Sequence, residues 1–186
     1  MKKVLVFAMV ALMLLGFTSF ASAAGGEIGL KGGYAAGTGD FGDANDGAFA
    51  YGIFGEYGFS EMFAAQVALT RHVHEGVDLP DGVRSDFSIN ALTLNGKVYF
   101  RPEGVRPYLS AGVGAYFWDY DFRSDLVNAS YTDDNADFGV NGGGGIAFDV
   151  NPKVTLGVEV LYHYLTGDEW EDSGYVDVLG TISYGF

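Results

Sequence analysis

The chain contains no cysteine among its 186 residues, so no disulfide fixes its fold, although an exported protein could form one. Basic residues are also scarce, with ten Lys and Arg against 24 Asp and Glu. Two of those ten, Lys2 and Lys3, stand at the N-terminus and leave eight for everything that follows. Such an acidic balance argues against nucleic acid as a partner, because phosphate backbones are held by basic surface. Long apolar runs are missing too. After the first 23 residues no stretch approaches the ~20 apolar residues that a membrane-spanning helix needs. If the remaining chain sits in a membrane, it does so as a closed barrel of strands.

The N-terminus reads as a secretory signal peptide. Met1-Lys2-Lys3 precedes an apolar run from Val4 to Phe17, and Ala21-Ser22-Ala23 supplies small residues for cleavage after Ala23. The run is short for a spanning anchor. The expected organisation is a signal peptide over 1–23 and one barrel domain over 24–186. Glycine is abundant at 29 residues and aromatics make up 16%, a composition typical of β proteins.

Eight alternating segments follow one another: Glu27 to Gly37, Ala48 to Gly58, Met62 to His72, Phe87 to Phe100, Tyr108 to Trp118, Asp137 to Asp149, Lys153 to Leu165 and Tyr175 to Phe186. Their connections alternate between short turns (58–61, 101–106, 149–152) and long acidic loops (38–47, 73–86, 119–136, 166–174). One parity of each segment is Val, Leu, Ile, Phe and Tyr. The other is glycine with polar groups, among them Lys31, Glu56, Gln66, Asn95, Lys97, Asn141, Glu159, His163 and Asp177. Charges of that kind cannot face lipid, where a Lys at the midplane costs about 2–4 kcal/mol, so they must face inward. Outward aromatics gather at both ends, as in the girdles of membrane barrels. The predicted fold is therefore all-β, an eight-stranded antiparallel up-and-down transmembrane β-barrel.

Four stretches carry a family resemblance: Arg106–Tyr116 (RPYLSAGVGAY), Asn141–Phe148 (NGGGGIAF), Val154–Tyr162 (VTLGVEVLY) and the terminal Ile182–Phe186 (ISYGF). With the alternation around them, the chain resembles the outer-membrane β-barrel protein family, in its small eight-stranded form (OmpX and the OmpA membrane domain). The resemblance implies outer-membrane location with both mature termini in the periplasm. It also implies that the barrel-assembly machinery reads the last strand, with Val178, Ile182, Tyr184 and Phe186 at the alternate positions and Gly180 interrupting them. It leaves function open, because the family hosts adhesion, structural, transport and enzyme roles.

Candidate chemistry is sparse. Lys31, Glu56, Lys97 and Glu159 share the interior at similar depth and are expected to pair, since isolated buried charges are very costly. The favoured reading is a plug; the alternative is a gate on a narrow solute path. Inward glycines either make room for Phe54, Tyr99, Tyr108 and Tyr116 or leave a cavity. His72 and His74 form an H-x-H pair beside Glu75, without an evident third metal ligand. Asp133-x-Asn135-x-Asp137 begins like a calcium loop but lacks its glycine and closing glutamate. His163 has no serine two positions on, as the Ser–His–acid chemistry of a lipid A deacylase would want. No catalytic, cofactor or metal site is expected.

The function expected from these residues is non-enzymatic: envelope structure and cell-surface interaction through acidic extracellular loops. A narrow pore or carrier for small solutes or hydrophobic ligands is the alternative, and a lipid A-modifying enzyme a distant third. The expected partners are outer-membrane lipid and lipopolysaccharide, loosely bound divalent cations on the acidic loops, and the assembly machinery during biogenesis.

Overall fold

The computed structural model describes residues 25–38, 47–74, 83–124, 129–166 and 174–186. The expected signal peptide lies outside the described residues. Eight strands are present: β1 (Gly26–Thr38), β2 (Ala48–Gly58), β3 (Phe63–His74), β4 (Val83–Tyr99), β5 (Val105–Ser124), β6 (Ala129–Asn151), β7 (Val154–Leu165) and β8 (Gly174–Gly185). Each pairs antiparallel with the next, and β1 pairs with β8, so the sheet is a closed barrel. The closing ladder runs from Glu27 opposite Gly185 to Thr38 opposite Gly174. Closure leaves no unpaired edge facing lipid, where an unmet backbone N–H or C=O would cost several kcal/mol.

The period-two pattern decides which face each residue takes. Leu30, Ile53, Leu69, Leu109, Val140, Val158 and Ile182 stand exposed on the outer wall. Lys31, Glu56, Gln66, Thr93, Asn95, Lys97, Asn141, Glu159 and Asp177 are buried inside. An apolar outside and a polar inside reverse the arrangement of a soluble barrel, so the surrounding solvent is lipid. Phe59, Phe63, Phe100, Phe148, Tyr184 and Phe186 ring the short-turn end, and Phe49, Tyr51, Phe138 and Tyr162 ring the other; all are exposed.

Side chains tie down the short turns. Ser60 Oγ accepts from the backbone N–H groups of Met62 and Phe63, and Asn151 Oδ1 from those of Lys153 and Val154. Gly104 ends the 101–104 turn at φ 75°, where a side chain would be strained.

At the long-loop end the strands run further than the alternation predicts. β4 begins at Val83, β5 continues to Ser124 and β6 starts at Ala129, in one ladder from Val105 opposite Phe148 to Ser124 opposite Ala129. Segment 119–136 breaks the clean alternation with many aspartates and no sustained apolar parity, and backbone pairing continues in the register set below. β3 leaves its ladder at His74 opposite Phe87, and β7 at Leu165 opposite Gly139. Beyond those levels β4, β5 and β6 continue as a three-stranded extension.

Candidate functional site in the barrel interior

The lower interior, toward the short turns, is held by charge. Lys31 on β1, Glu56 on β2, Lys97 on β4 and Glu159 on β7 come together there, all buried. Lys31 Nζ lies 3.1 Å from Glu159 Oε1, Lys97 Nζ 3.3 Å from Glu159 Oε2, and Lys97 Nζ 3.1 Å from Glu56 Oε2. The signs alternate along Lys31–Glu159–Lys97–Glu56, so every charge has an opposite neighbour. Hydroxyl and amide donors add to the same carboxylates. Tyr99 donates to Glu56 at 2.6 Å, Tyr108 to Glu159 at 2.9 Å, and Gln66 to Glu56 at 3.2 Å. Both lysines also approach the Phe54 ring, and Lys97 stands 4.4 Å from the Tyr108 centroid.

Inward glycines make this aromatic packing possible. A Cβ on Gly29 would run into the Phe54 ring, and one on Gly145 into the Tyr108 hydroxyl. In this layer the glycines answer to bulky neighbours.

Below it, Arg106 closes the short-turn mouth. Its guanidinium lies 2.8 Å from Asp149 Oδ1 and 3.7 Å from Glu27 Oε1, and it sits over the Tyr99 ring at 4.8 Å. Ser183 donates to Glu27 at 2.6 Å, which links the last strand to the first. A cavity of about 240 Å³ opens at this mouth, bordered by Glu27, Glu56, Ser60, Tyr99 and Arg106.

The upper interior is built differently. Ala35, Ala50, Ile89, Ala91, Trp118, Leu165 and Leu179 pack there with the rings of Tyr116 and Tyr175. One polar knot is embedded among them. His72 Nε2 lies 3.1 Å from both oxygens of Asp177, and His163 Nε2 lies 3.4 Å from Asp177 Oδ2. The Tyr116 hydroxyl meets His163 Nδ1 at 2.8 Å, and the Tyr175 ring stacks on His163 at 4.5 Å. Trp118 Nε1 donates to Asp137 at 3.1 Å.

Neither this apolar packing nor the knot emerges from reading the inward parity as glycine and polar groups. Leu161, Leu165, Ile89 and Ala91 sit on that parity and are fully buried. Their position in the alternation was the available signal. His72 turns inward to Asp177, while the side chain of His74 and all of Glu75 lie outside the described residues. Among the described residues no group of three His, Cys, Asp or Glu side chains is arranged to hold a metal. The Asp133–Asp137 run lies on extended β6, in a backbone form that does not wrap an ion. His163 faces the interior rather than the lipid boundary.

The terminal residues stand on the outer wall. Val178, Ile182 and Tyr184 are exposed, and Phe186 is the most exposed large hydrophobic residue among those described, at 80%. The ladders place Ile182 between Leu30 and Leu156, which makes a continuous apolar strip across the closing seam.

Known proteins give a consistent picture. The family model described as outer membrane protein beta-barrel domain matches residues 7–186. No curated protein matches the chain in sequence. Among solved structures, the Neisserial surface protein A, NspA, is similar at 18% identity and a TM-score of 0.69, covering 89% of this chain and 99% of its own. Ail, the attachment invasion locus protein of Yersinia pestis, is similar at 15% identity and a TM-score of 0.62, covering 88% and 100%. A major outer membrane protein from Thermus thermophilus is similar at 13% identity and a TM-score of 0.65, covering 89% and 100%. At these identities the likeness speaks for the fold. The closed barrel, its apolar wall and the match over nearly the whole sequence lead to one conclusion: this chain belongs to the outer membrane protein beta-barrel domain family.

Proposed function

We propose that the protein is a non-enzymatic component of the outer-membrane envelope that engages its surroundings through its acidic extracellular loops. The carrying observation is the filled lower interior, where Lys31, Glu159, Lys97 and Glu56 pair across the lumen under the aromatic packing of Phe54 and Tyr108. An eight-stranded barrel has an interior about wide enough for side chains to fill, and such an interior serves as a plug. Most of the 24 acids fall in the long connections, which suits loose divalent-cation binding between the loops and lipopolysaccharide phosphates. The attachment role in the name of Ail supports surface interaction for a barrel of this shape. In this reading both mature termini face the periplasm, on the short-turn side.

Conductance of the refolded protein in planar bilayers tests the plug. No unitary steps are expected from the wild type; steady channels would replace this reading with the narrow-pore one. The mouth cavity beside Arg106 is the observation that favours such a pore. The role of Val178, Ile182, Tyr184 and Phe186 in assembly is tested by deleting Phe186. Loss or slowing of heat-modifiable barrel formation in cells is expected, and normal yield would contradict it.

A further inference from the structure

One row of the sheet carries buried polar side chains on almost every strand. Successive ladder partners run from Glu56 on β2 through Gln66 on β3, Asn95 on β4, Gly112 on β5 and Asn141 on β6 to His163 on β7. The side chains in this row face the lumen, and each is more than nine-tenths buried. The row joins the two halves of the interior, because Glu56 belongs to the charge clamp and His163 to the knot. Its lower end reaches solvent, since Glu56 also borders the cavity at the short-turn mouth. Its upper end stops under the cap. Two positions further on from Tyr116 and His163, along the same strands, stand Trp118 and Leu165 in the apolar cluster.

Between those ends the row is polar but not joined to itself. Gln66 donates to Glu56 at 3.2 Å, yet its Oε1 has no hydrogen-bond partner among the described residues. Asn95 donates to Thr93 at 3.2 Å, and its Oδ1 is left over. Asn141 uses neither amide atom, and its neighbour Tyr116 is engaged by His163 Nδ1. Ser110 Oγ, two positions before Gly112 on β5, and His163 Nε2, 3.4 Å from Asp177, also lack hydrogen bonds among the described residues. Buried polar groups are seldom left unmet, so a connected stretch of them calls for partners small enough to enter. Glycine supplies the room. Gly112 stands between Asn95 and Asn141, and a Cβ there would collide with Asn95 Oδ1. Gly143, the ladder partner of Ser110, is equally bare.

We propose that ordered water molecules occupy this row and link the Asp177 knot to the short-turn mouth as a one-ended proton path. Water suits the lining, which offers donors and acceptors side by side, as internal water sites require. The row crosses three inter-strand spacings from Gln66 to Asn141, roughly 14 Å along the wall. Each water accepts from one neighbour and donates to the next, so a proton entering at the mouth releases an equivalent one at His163. The amides hold the waters in place and do not carry the proton themselves. Beside the lower part of the row Glu56 and Glu159 offset Lys97 and Lys31, so no net positive charge bars the way. At the knot His163 faces Asp177 and Tyr175 of β8 and Tyr116 of β5, with His72 of β3 beyond Asp177. The path ends there, so it brings protons to the knot and carries no ion across the membrane. It needs only the closed barrel and is independent of what the acidic loops bind.

The test is NMR of the refolded full barrel in detergent micelles. Magnetisation transfer from water to the side-chain amides of Asn95 and Asn141 reports water held in the row. Exchange of the His72 and His163 ring N–H protons after transfer to deuterated buffer reports proton delivery to the knot. Wild type is expected to show both. Asn141→Leu keeps the volume and removes both amide atoms, and should slow ring exchange about tenfold, the effect of one lost hydrogen-bonded link. Backbone amide exchange on β6 and β7, read in the same samples, should stay unchanged, which separates a broken path from altered packing. Heat-modifiable mobility confirms that each variant is a barrel. Should Asn141→Leu not fold, Ser110→Ala takes its place, with slowing of about threefold expected for one lost anchor. Absence of water transfer to both amides would overturn the path. So would equal ring exchange in wild type and the folded variant, or ring exchange that changes only in step with the backbone amides, which would mean opening of the whole barrel.

Discussion

The lower interior places two lysines and two glutamates in mutual contact, whereas the upper interior packs Ile89, Leu165, Leu179 and Trp118 around the Asp177 knot. Both halves hang on the same strands and the same ladders, yet different forces hold them together. In the lower half each charge depends on an opposite one, so the network is sensitive to the loss of any member and tolerant of shape. In the upper half burial and ring packing dominate, and the polar knot mainly avoids leaving Asp177 alone. One barrel thus joins an electrostatic clamp near the short-turn mouth to a packed cap toward the long-loop end.

The largest effect expected is from Glu159→Gln. It takes away the carboxylate shared by Lys31, Lys97 and Tyr108, and leaving buried charge without compensation costs about 3–5 kcal/mol. Urea unfolding in lipid vesicles should register it, and a loss below about 1 kcal/mol would mean the lower half is not a clamp. Next comes Leu179→Ala, which opens a cavity in the packed half and should cost about 2–5 kcal/mol by the same assay. Asp177→Asn follows at about 1–3 kcal/mol, since His72 and His163 lose a charged acceptor but keep their packing. If Asp177→Asn proved costlier than Leu179→Ala, the knot and not the packing would hold the upper half. The mildest is Tyr116→Phe, which removes one hydroxyl from His163 and should cost about 0.5–1.5 kcal/mol. A shift in the histidine ring signals by NMR, with near-native stability, is its expected signature.

The sequence carries the barrel plainly because a lipid-facing wall demands strict alternation, and Leu30, Ile53, Leu109 and Val158 obey it. The lower layer was equally accessible, since two lysines and two glutamates on one inward parity have to meet. The upper layer was obscured by the same rule. Leu161, Leu165 and Ile89 are apolar on the polar parity, and alternation alone does not say whether such residues pack inside or mark an irregular strand. The contacts of His72 were hidden for another reason. Its partner Asp177 is 105 residues away, and only the closed sheet brings β3 and β8 to opposite walls of one lumen. The strand extensions past Trp118 and before Asp137 carry only a broken hydrophobic signal, because Tyr120, Phe122 and Tyr131 stand among aspartates, serines and threonine without a sustained apolar parity.

Closure between β1 and β8 also has a kinetic meaning. The seam joins Glu27 to Ser183, 156 residues apart, and Lys31 reaches past it inside the lumen to Glu159 of β7, 128 apart. Contacts of such sequence separation form late, because the entropy of the intervening chain is lost before they are made. The final strand therefore has to arrive before the lysine–glutamate clamp can tighten, and the clamp then opposes its departure. Unfolding has to reverse both steps at once in a solvent that cannot hydrate the freed backbone. The lifetime of the barrel in the membrane is then governed by the rate of opening this one seam, and weakening the Lys31–Glu159 contact should shorten that lifetime more than it slows assembly.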